Sequence, residues 1–315
     1  MGKIAFVFPG QGSQTVGMGK DLFEKSQEAK DVFQRADEKL GYPLSQLIFT
    51  GPQEELTLTT NAQPALLTVS YVLFQALTEA GIKPDYTAGH SLGEYSALVA
   101  SGAISFKDAV YTVRKRGEFM EEAVPNGQGT MAAILGMERQ PLHDIAEEVT
   151  AGGNPVQLAN INCPGQIVIS GSAEGVKKAS ELAKEKGAKR AIPLDVSGPF
   201  HSSLMKPAAA RLKEVLDNVS VVEASVPVIS NVIAMPIQKP EEIKEKLLEQ
   251  LYSPVLWEDS VRKMLSLGVD MFIEVGSGKV LSGLIKKIDR SAKVFSVSDE
   301  ESLLKTVEAL RGTNV

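Results

Sequence analysis

A single cysteine, Cys163, stands in 315 residues. That excludes a disulfide framework and a cysteine-rich zinc site, and a reducing compartment fits. There is no basic excess either: 33 Lys and Arg face 39 Asp and Glu, for a net charge of −6 and a pI near 5.4. A general nucleic-acid binder carries the opposite balance. No apolar run approaches the roughly 18 residues that a membrane span requires. The run Ile4 to Phe8 is too short for a signal peptide. After Met1-Gly2, Phe6 stands where a myristoylation start needs Ser or Thr. A cytoplasmic protein is expected, with no nucleic-acid and no membrane partner. Histidine is scarce, with three in the chain. No repeat and no low-complexity tract appears.

What is present is an ordinary globular composition, 43% hydrophobic and 23% charged, long enough for one large domain or two smaller ones. KIAFVF (3–8) reads as a buried strand running into the Gly-rich turn PGQGSQ. Helical patterns follow at 18–39 and 64–80, then a strand and turn around Ser91, a helix from Leu92 and another over 106–123. Strands alternating with helices imply a parallel sheet covered on both faces. The middle differs. Strands at 129–136, 156–162, 166–171 and 189–194 and helices at 138–149 and 173–187 follow the order β-α-β-β-α-β, the ferredoxin-like arrangement. The breakers PNGQG (125–129) and SGPF (197–200) bound it. The expected organisation is a ferredoxin-like insert, 127–198, inside a discontinuous α/β-hydrolase-like catalytic domain, 1–126 and 199–315. The larger pattern resumes with helices at 202–217, 240–250 and 257–267, strands near 227–231, 271–276 and 294–297, and a last helix.

Three glycine-rich turns fail as nucleotide sites. The Gly10-Gln11-Gly12 run has Thr15 where the dinucleotide fingerprint needs glycine. Gly19-Lys20 is followed by Asp21, with Gln14 in place of the P-loop's first glycine. Gly276-Ser277-Gly278 has Leu281 in the third glycine position. Each fails at a residue with a mechanical role.

Gly89-His90-Ser91-Leu92-Gly93 is G-x-S-x-G between an apolar strand and a helical run, the setting of a nucleophilic serine on a sharp turn. The plainer alternative is a helix N-cap. A nucleophilic serine needs a base. His90 adjoins Ser91, and neighbouring side chains diverge in a strand, so it packs or hydrogen-bonds beneath the turn. His143 lies on a polar helix and reads as solvated. His201, in VSGPFHSSLMKP at a loop-to-helix junction, is the candidate base, the alternative being a capping or core histidine. No acid stands out as a third member, and Asp195 fits a structural role. A main-chain carbonyl can also set an imidazole tautomer, so a Ser-His dyad with an unassigned orienting group results. Cys163 reads as a small inert apolar residue.

FPGQGSQ (8–14), GHSLGEYSAL (89–98), PFHS (199–202) and QLYSPVLW (250–257) together resemble the malonyl-CoA:acyl carrier protein transacylases of fatty-acid synthesis and the acyltransferase domains of polyketide synthases. The likeness runs from the first strand to the last helix. It implies that Ser91 becomes malonylated, that His201 is its base and that the main-chain carbonyl at Gln250 orients His201. It implies an oxyanion hole from the Gln11 and Leu92 N–H groups and a malonyl-carboxylate site at Arg116. Asn162 would line the cleft, and Phe200 would crowd an α-methyl group and so select malonyl. The implied substrates are malonyl-CoA and acyl carrier protein; no metal or bound cofactor is required, and a monomer is expected.

Arg116 also has a reading from the residues alone. It lies on the apolar stripe of the helix 106–123, with Val113 and Met120, and needs an anionic or carbonyl partner there. The alternative is an internal salt bridge. Arg114 and Lys115 fall on other faces and read as solvated. Residues 176–190 hold six basic and two acidic side chains. Lys189 and Arg190 are candidates for docking an acidic carrier protein, and a solvated helix face is the alternative. Two rival functions are a serine esterase of the α/β-hydrolase class and a non-catalytic carrier-binding subunit.

Overall fold

The computed structural model describes residues 2–312. Met1 and residues 313–315, the two ends of the expected catalytic domain and part of the myristoylation reading, lie outside the described residues. Ten strands occur among those described: β1 (Lys3–Phe8), β2 (Tyr86–Gly89), β3 (Gly129–Leu135), β4 (Val156–Cys163), β5 (Gln166–Ser172), β6 (Arg190–Pro193), β7 (Val228–Ile229), β8 (Pro236–Ile237), β9 (Val269–Val275) and β10 (Lys293–Val297). They form an α/β protein with two separate sheets. The larger has six strands in the order β10-β9-β1-β2-β7-β8. It is parallel except where β8 returns antiparallel on β7. The all-parallel expectation is corrected there: the six residues 230–235 between β7 and β8 are too few for a crossover and allow only a hairpin. The smaller sheet is antiparallel, β4-β5-β3-β6, and its chain order with the helices Arg139–Ala151 and Ala173–Glu185 is β-α-β-β-α-β.

β1 shows why the larger sheet reads as a continuous apolar run. Ala5, Phe6, Val7 and Phe8 are all fully buried, and successive side chains leave on opposite faces. Phe6 and Phe8 join the core of the helices Thr59–Glu79, Leu92–Ala100 and Phe106–Glu122. Ala5 and Val7 join Trp257, Val261 and Leu281 on the other side. The smaller sheet works likewise. Ile134, Ile161, Ile167 and Ile169 face its two helices, while Met131, Ala159 and Val168 face the larger core. Main-chain bonds from Ile161 N to Val255 O (2.9 Å) and from Val255 N to Ala159 O (2.8 Å) join β4 to the larger unit.

The contact between helices Thr59–Glu79 and Phe106–Glu122 positions the site. A Cβ at Gly117 would lie 2.9 Å from Thr59 O, so glycine is what lets the two backbones approach. The first of these helices begins at Thr59 rather than the expected 64, with Pro64 inside it. Proline has no N–H for the carbonyl four residues back. Arg114 Nη1 donates to that carbonyl, Thr60 O, at 3.1 Å, and also to Tyr42 Oη and Asn61 Oδ1. Arg114 is therefore an anchor and not the solvated side chain expected. Lys115 is paired with Glu118.

Local chemistry explains the other differences. The helical pattern at 18–39 is two helices, Lys20–Lys25 and Gln27–Leu40, because extended Ser26 accepts from Ala29 N and caps the second. The helix expected at 202–217 starts as a 3₁₀ turn, Ser203–Met205, before Lys206–Asp217. The short helices Leu44–Thr50 and Gln53–Thr57 had no long apolar period to announce them.

Candidate active site

β1 and β2 are neighbours in the larger sheet, so the turns at their carboxyl ends meet. His90 N donates to Phe8 O at 3.0 Å. The serine turn is tight enough to exclude side chains at both of its glycines. A Cβ at Gly89 would lie 1.9 Å from the Gly93 carbonyl carbon, and one at Gly93 would lie 2.0 Å from Phe8 O. Ser91 itself has φ 52 and ψ −108, a costly conformation for a residue with a side chain. Its main chain is held from two sides. Asn231 Oδ1, just beyond β7, accepts from Ser91 N at 2.8 Å, and Gln250 Nε2 donates to Ser91 O at 3.0 Å. Asn231 Nδ2 also donates to Gly89 O at 2.7 Å.

Ser91 Oγ lies 2.8 Å from His201 Nε2. His201 Nδ1 lies 2.7 Å from the main-chain carbonyl of Gln250. A carbonyl only accepts, so the Nδ1 proton is directed to it and Nε2 is left bare toward the serine hydroxyl. Burial, and then the charge of Arg116, push the His201 imidazole down to about 3. The ring is thus neutral and able to accept a proton throughout the physiological range. Gln157 of β4 secures this loop, accepting from Ser203 N at 2.9 Å and donating to His201 O at 3.2 Å.

Arg116 is 1% exposed. Its Nη1 donates to Gln63 Oε1 at 2.8 Å, and its Nη2 donates to Gln250 Oε1 at 2.9 Å and Ser91 Oγ at 3.1 Å. Its guanidinium carbon lies 5.5 Å from the centre of the Tyr95 ring. Among the described residues no carboxylate lies within ion-pair distance of it, and its buried Nε has no hydrogen-bond partner. The internal salt bridge considered as the alternative is absent. A guanidinium held only by neutral oxygens, with Nη2 beside a serine hydroxyl and Nε unpartnered, suits a small anionic group.

The remaining sequence candidates fall as follows. Gln11 Nε2 donates to Thr59 Oγ1 at 3.0 Å. The main-chain N–H groups of Gln11 and Leu92 have no partner among the described residues. Leu92 is the first residue of its helix, where such donors are free and the dipole favours negative charge. Asn162 Oδ1 meets His90 Nε2 at 2.8 Å, so the neighbour of the serine turns away toward β4 and Trp257. Phe200 is buried beside His201. Lys189 and Arg190 are exposed where the edge strand β6 begins and hydrogen-bond no member of the Ser91 cluster. His143 is exposed, 3.6 Å from Glu147. Asp195 is exposed as well. Cys163 is buried, and burial raises its thiol above the ordinary range.

Four participants escaped the sequence reading: Gln63, Glu94, Asn231 and the side chain of Gln250. Glu94 is fully buried and accepts from Gln250 Nε2 at 2.7 Å and Asn231 N at 3.3 Å. A carboxylate on an otherwise uncharged helix, and an amide ending the run PVISN, were the available signals.

The acyl transferase domain model matches residues 5–303. The chain is 64% identical over 314 residues to the malonyl CoA-acyl carrier protein transacylase of Bacillus subtilis (strain 168), covering 100% of this chain and 99% of that one. The solved structure of the malonyl CoA-acyl carrier protein transacylase from Coxiella burnetii superposes with a TM-score of 0.95 at 42% identity, covering 98% and 97%. A malonyl-transacylase solved in complex with a type II polyketide acyl-carrier protein gives 0.94 at 43% identity, covering 98% and 99%.

Proposed function

The chain belongs to the acyl transferase domain family, and within that family we propose a ping-pong transfer that runs through a malonyl ester on Ser91. The protein is an enzyme that moves a malonyl group from malonyl-CoA to acyl carrier protein. The observation that carries the proposed route is the serine hydroxyl itself, 2.8 Å from a bare imidazole nitrogen and 3.1 Å from a buried guanidinium.

In the first half-reaction Ser91 Oγ attacks the thioester carbonyl while His201 Nε2 takes its proton. The imidazolium that forms keeps its Nδ1–H on the Gln250 carbonyl. The negative charge develops on the thioester oxygen, and the N–H groups of Gln11 and Leu92 receive it. Such donors each contribute roughly 2.7–4 kcal/mol where they have been removed from other enzymes. Collapse of the tetrahedral intermediate breaks the C–S bond, CoA leaves with the proton from His201, and the malonyl ester remains. The carrier's phosphopantetheine thiol then repeats the sequence in reverse order, giving its proton to His201 and restoring Ser91. Arg116 turns its Nη2 and unpartnered Nε to the malonyl carboxylate. Phe200, packed next to His201, restricts space for an α-methyl branch, and Asn162 borders the cleft through its bond to His90. No step calls for a metal or cofactor.

The chain is read as a discontinuous α/β-hydrolase-like catalytic domain, 1–126 and 199–315, with a ferredoxin-like insert, 127–198. It acts as a monomer in the cytoplasm, without nucleic-acid or membrane partners. Lys189 and Arg190 offer the acidic carrier a basic approach. No helix is long and apolar enough to cross a membrane. Incubation with malonyl-CoA followed by intact-mass measurement tests the route: one malonyl adduct should form and map to Ser91. An adduct elsewhere, or none while transfer proceeds, overturns it.

A further inference from the structure

Gln250 serves the site twice. Its main-chain carbonyl accepts a hydrogen bond from His201 Nδ1–H, and its side-chain oxygen accepts from Arg116 Nη2. An amide can be turned end for end, and the reversed form would present an NH₂ group to the guanidinium and an oxygen to Ser91 O. What prevents this is the ring of acceptors around the nitrogen: Ser91 O at 3.0 Å, Glu94 Oε2 at 2.7 Å and Asn231 Oδ1 at 3.3 Å. Of these, Ser91 O is a main-chain carbonyl, and Asn231 is itself an amide held by Ser91 N and Gly89 O. Glu94 is the one that carries a charge, and when ionised it can only accept.

Glu94 is 0% exposed and makes no ion pair among the described residues. Its Oε1 has no hydrogen-bond partner. A buried carboxylate so poorly matched is expensive and calls for a role beyond packing. Resting on the assignment of Arg116 to the malonyl carboxylate, we propose that Glu94 is a positioning residue for acyl selection. Its carboxylate locks the Gln250 amide with the oxygen toward Arg116 and so aims the guanidinium. The chain of two bonds, Glu94 to Gln250 to Arg116, sets the fork beside Ser91 without Glu94 touching substrate.

Protonation would weaken the lock, because a neutral carboxyl can donate and no longer dictates which end of the amide faces it, leaving Ser91 O and Asn231 Oδ1 to hold the nitrogen. Burial pushes the Glu94 carboxyl up to about 7, against the opposing pull of Gln250, Asn231 and Arg116. Arg116 is the charged group facing it from the helix Phe106–Glu122, and Tyr95 is the titratable neighbour on its own helix. The Asn231 and Gln250 side chains are neutral. Burial raises the Tyr95 phenol well above its usual range, and His201 is held down at about 3. Neither titrates near neutrality. The substrate carboxylate titrates far below it.

The test measures kcat/KM for malonyl-CoA and acetyl-CoA side by side, on the wild type and on Glu94→Gln, across about pH 6 to 8. In the wild type the malonyl-to-acetyl ratio should rise several-fold with pH through about 7. In Glu94→Gln, which keeps the shape without the charge, the ratio should be about tenfold or more lower above pH 7 and flat with pH. A parallel loss for both substrates, or an unchanged ratio, would make Glu94 a support for the serine turn alone. A raised ratio would mean that its charge merely competes with the substrate's. Each of these overturns the proposal, as does a flat wild-type ratio, which needs no variant to fold. If Arg116→Ala collapses the ratio while Glu94→Gln does not, the positioning role fails and the assignment of Arg116 stands. If neither does, that assignment fails as well.

Discussion

Replacing Arg116 by alanine removes three hydrogen bonds in one step, to Gln63, Gln250 and Ser91. For an uncharged acyl group the loss is limited to the contact with the serine hydroxyl. A hydrogen bond to a charged group contributes about 1.5–3 kcal/mol, so acetyl transfer should fall roughly ten- to hundredfold. For malonyl the same loss applies, and a carboxylate is also left desolvated and unpaired. Breaking a buried charge pair costs about 3–5 kcal/mol. At about 1.4 kcal/mol per tenfold, the malonyl-to-acetyl ratio should drop by a factor on the order of 10²–10⁴. Arg116→Lys should recover part of it, since an ammonium keeps the charge but cannot offer two parallel N–H bonds. Folding should survive. The Gln63 and Gln250 amide oxygens lose a donor, but a buried guanidinium with an unsatisfied Nε is removed with it. The assay is kcat/KM for both acyl-CoAs on the three proteins, with circular dichroism to verify the fold. Equal decline for the two substrates would show that Arg116 supports the serine turn and does not read the carboxylate.

Three further outcomes are expected. Ser91→Ala should fold and form no malonyl adduct by intact mass, whereas Cys163→Ser should load normally because the thiol is buried and its pKa is raised; an adduct on Ser91→Ala would refute the nucleophile. Burial lowers the His201 pKa from the ordinary 6.5 to about 3, so between these values the unfolded chain binds a proton that the folded one refuses. Its contribution to stability is therefore complete above about 6.5 and lost progressively as pH falls toward 3, and His201→Gln should flatten that part of a Tm-against-pH curve. A wild-type-like slope in the variant would assign the acid sensitivity to other groups. Reversing the charges of Lys189 and Arg190 should weaken the carrier half-reaction and its salt dependence while loading from malonyl-CoA is unchanged; equal loss in both half-reactions would place the docking face elsewhere.

The backbone was largely legible along the chain. The alternation over 129–194 and the helix start at Leu92 depend on side-chain periods and on glycine, which act within a few residues. The serine turn is readable for the same reason, as five consecutive residues state it. Reading failed where a local cue had a distant answer. Pro64 looks like a helix boundary until Arg114, on another helix, takes the carbonyl that the proline leaves free. Ser26 splits what the apolar pattern joins. Arg114 and Arg116 differ by two positions, and the apolar stripe does separate them, yet only packing shows the first as a structural anchor and the second as a donor beside Ser91.

The site is decided almost wholly by tertiary structure. Ser91, Arg116, His201, Asn231 and Gln250 come from five separate segments, brought together because β1, β2 and β7 lie side by side in a sheet whose strand order is not the chain order. His201 faces Ser91 across 110 residues and is oriented by a carbonyl 49 residues further on. A main-chain carbonyl belongs to every residue and leaves no mark in composition. Gln63, Glu94 and Asn231 carry residue types common on any surface. Their role follows from being enclosed where water cannot compete, so that each polar atom must find its partner within the protein.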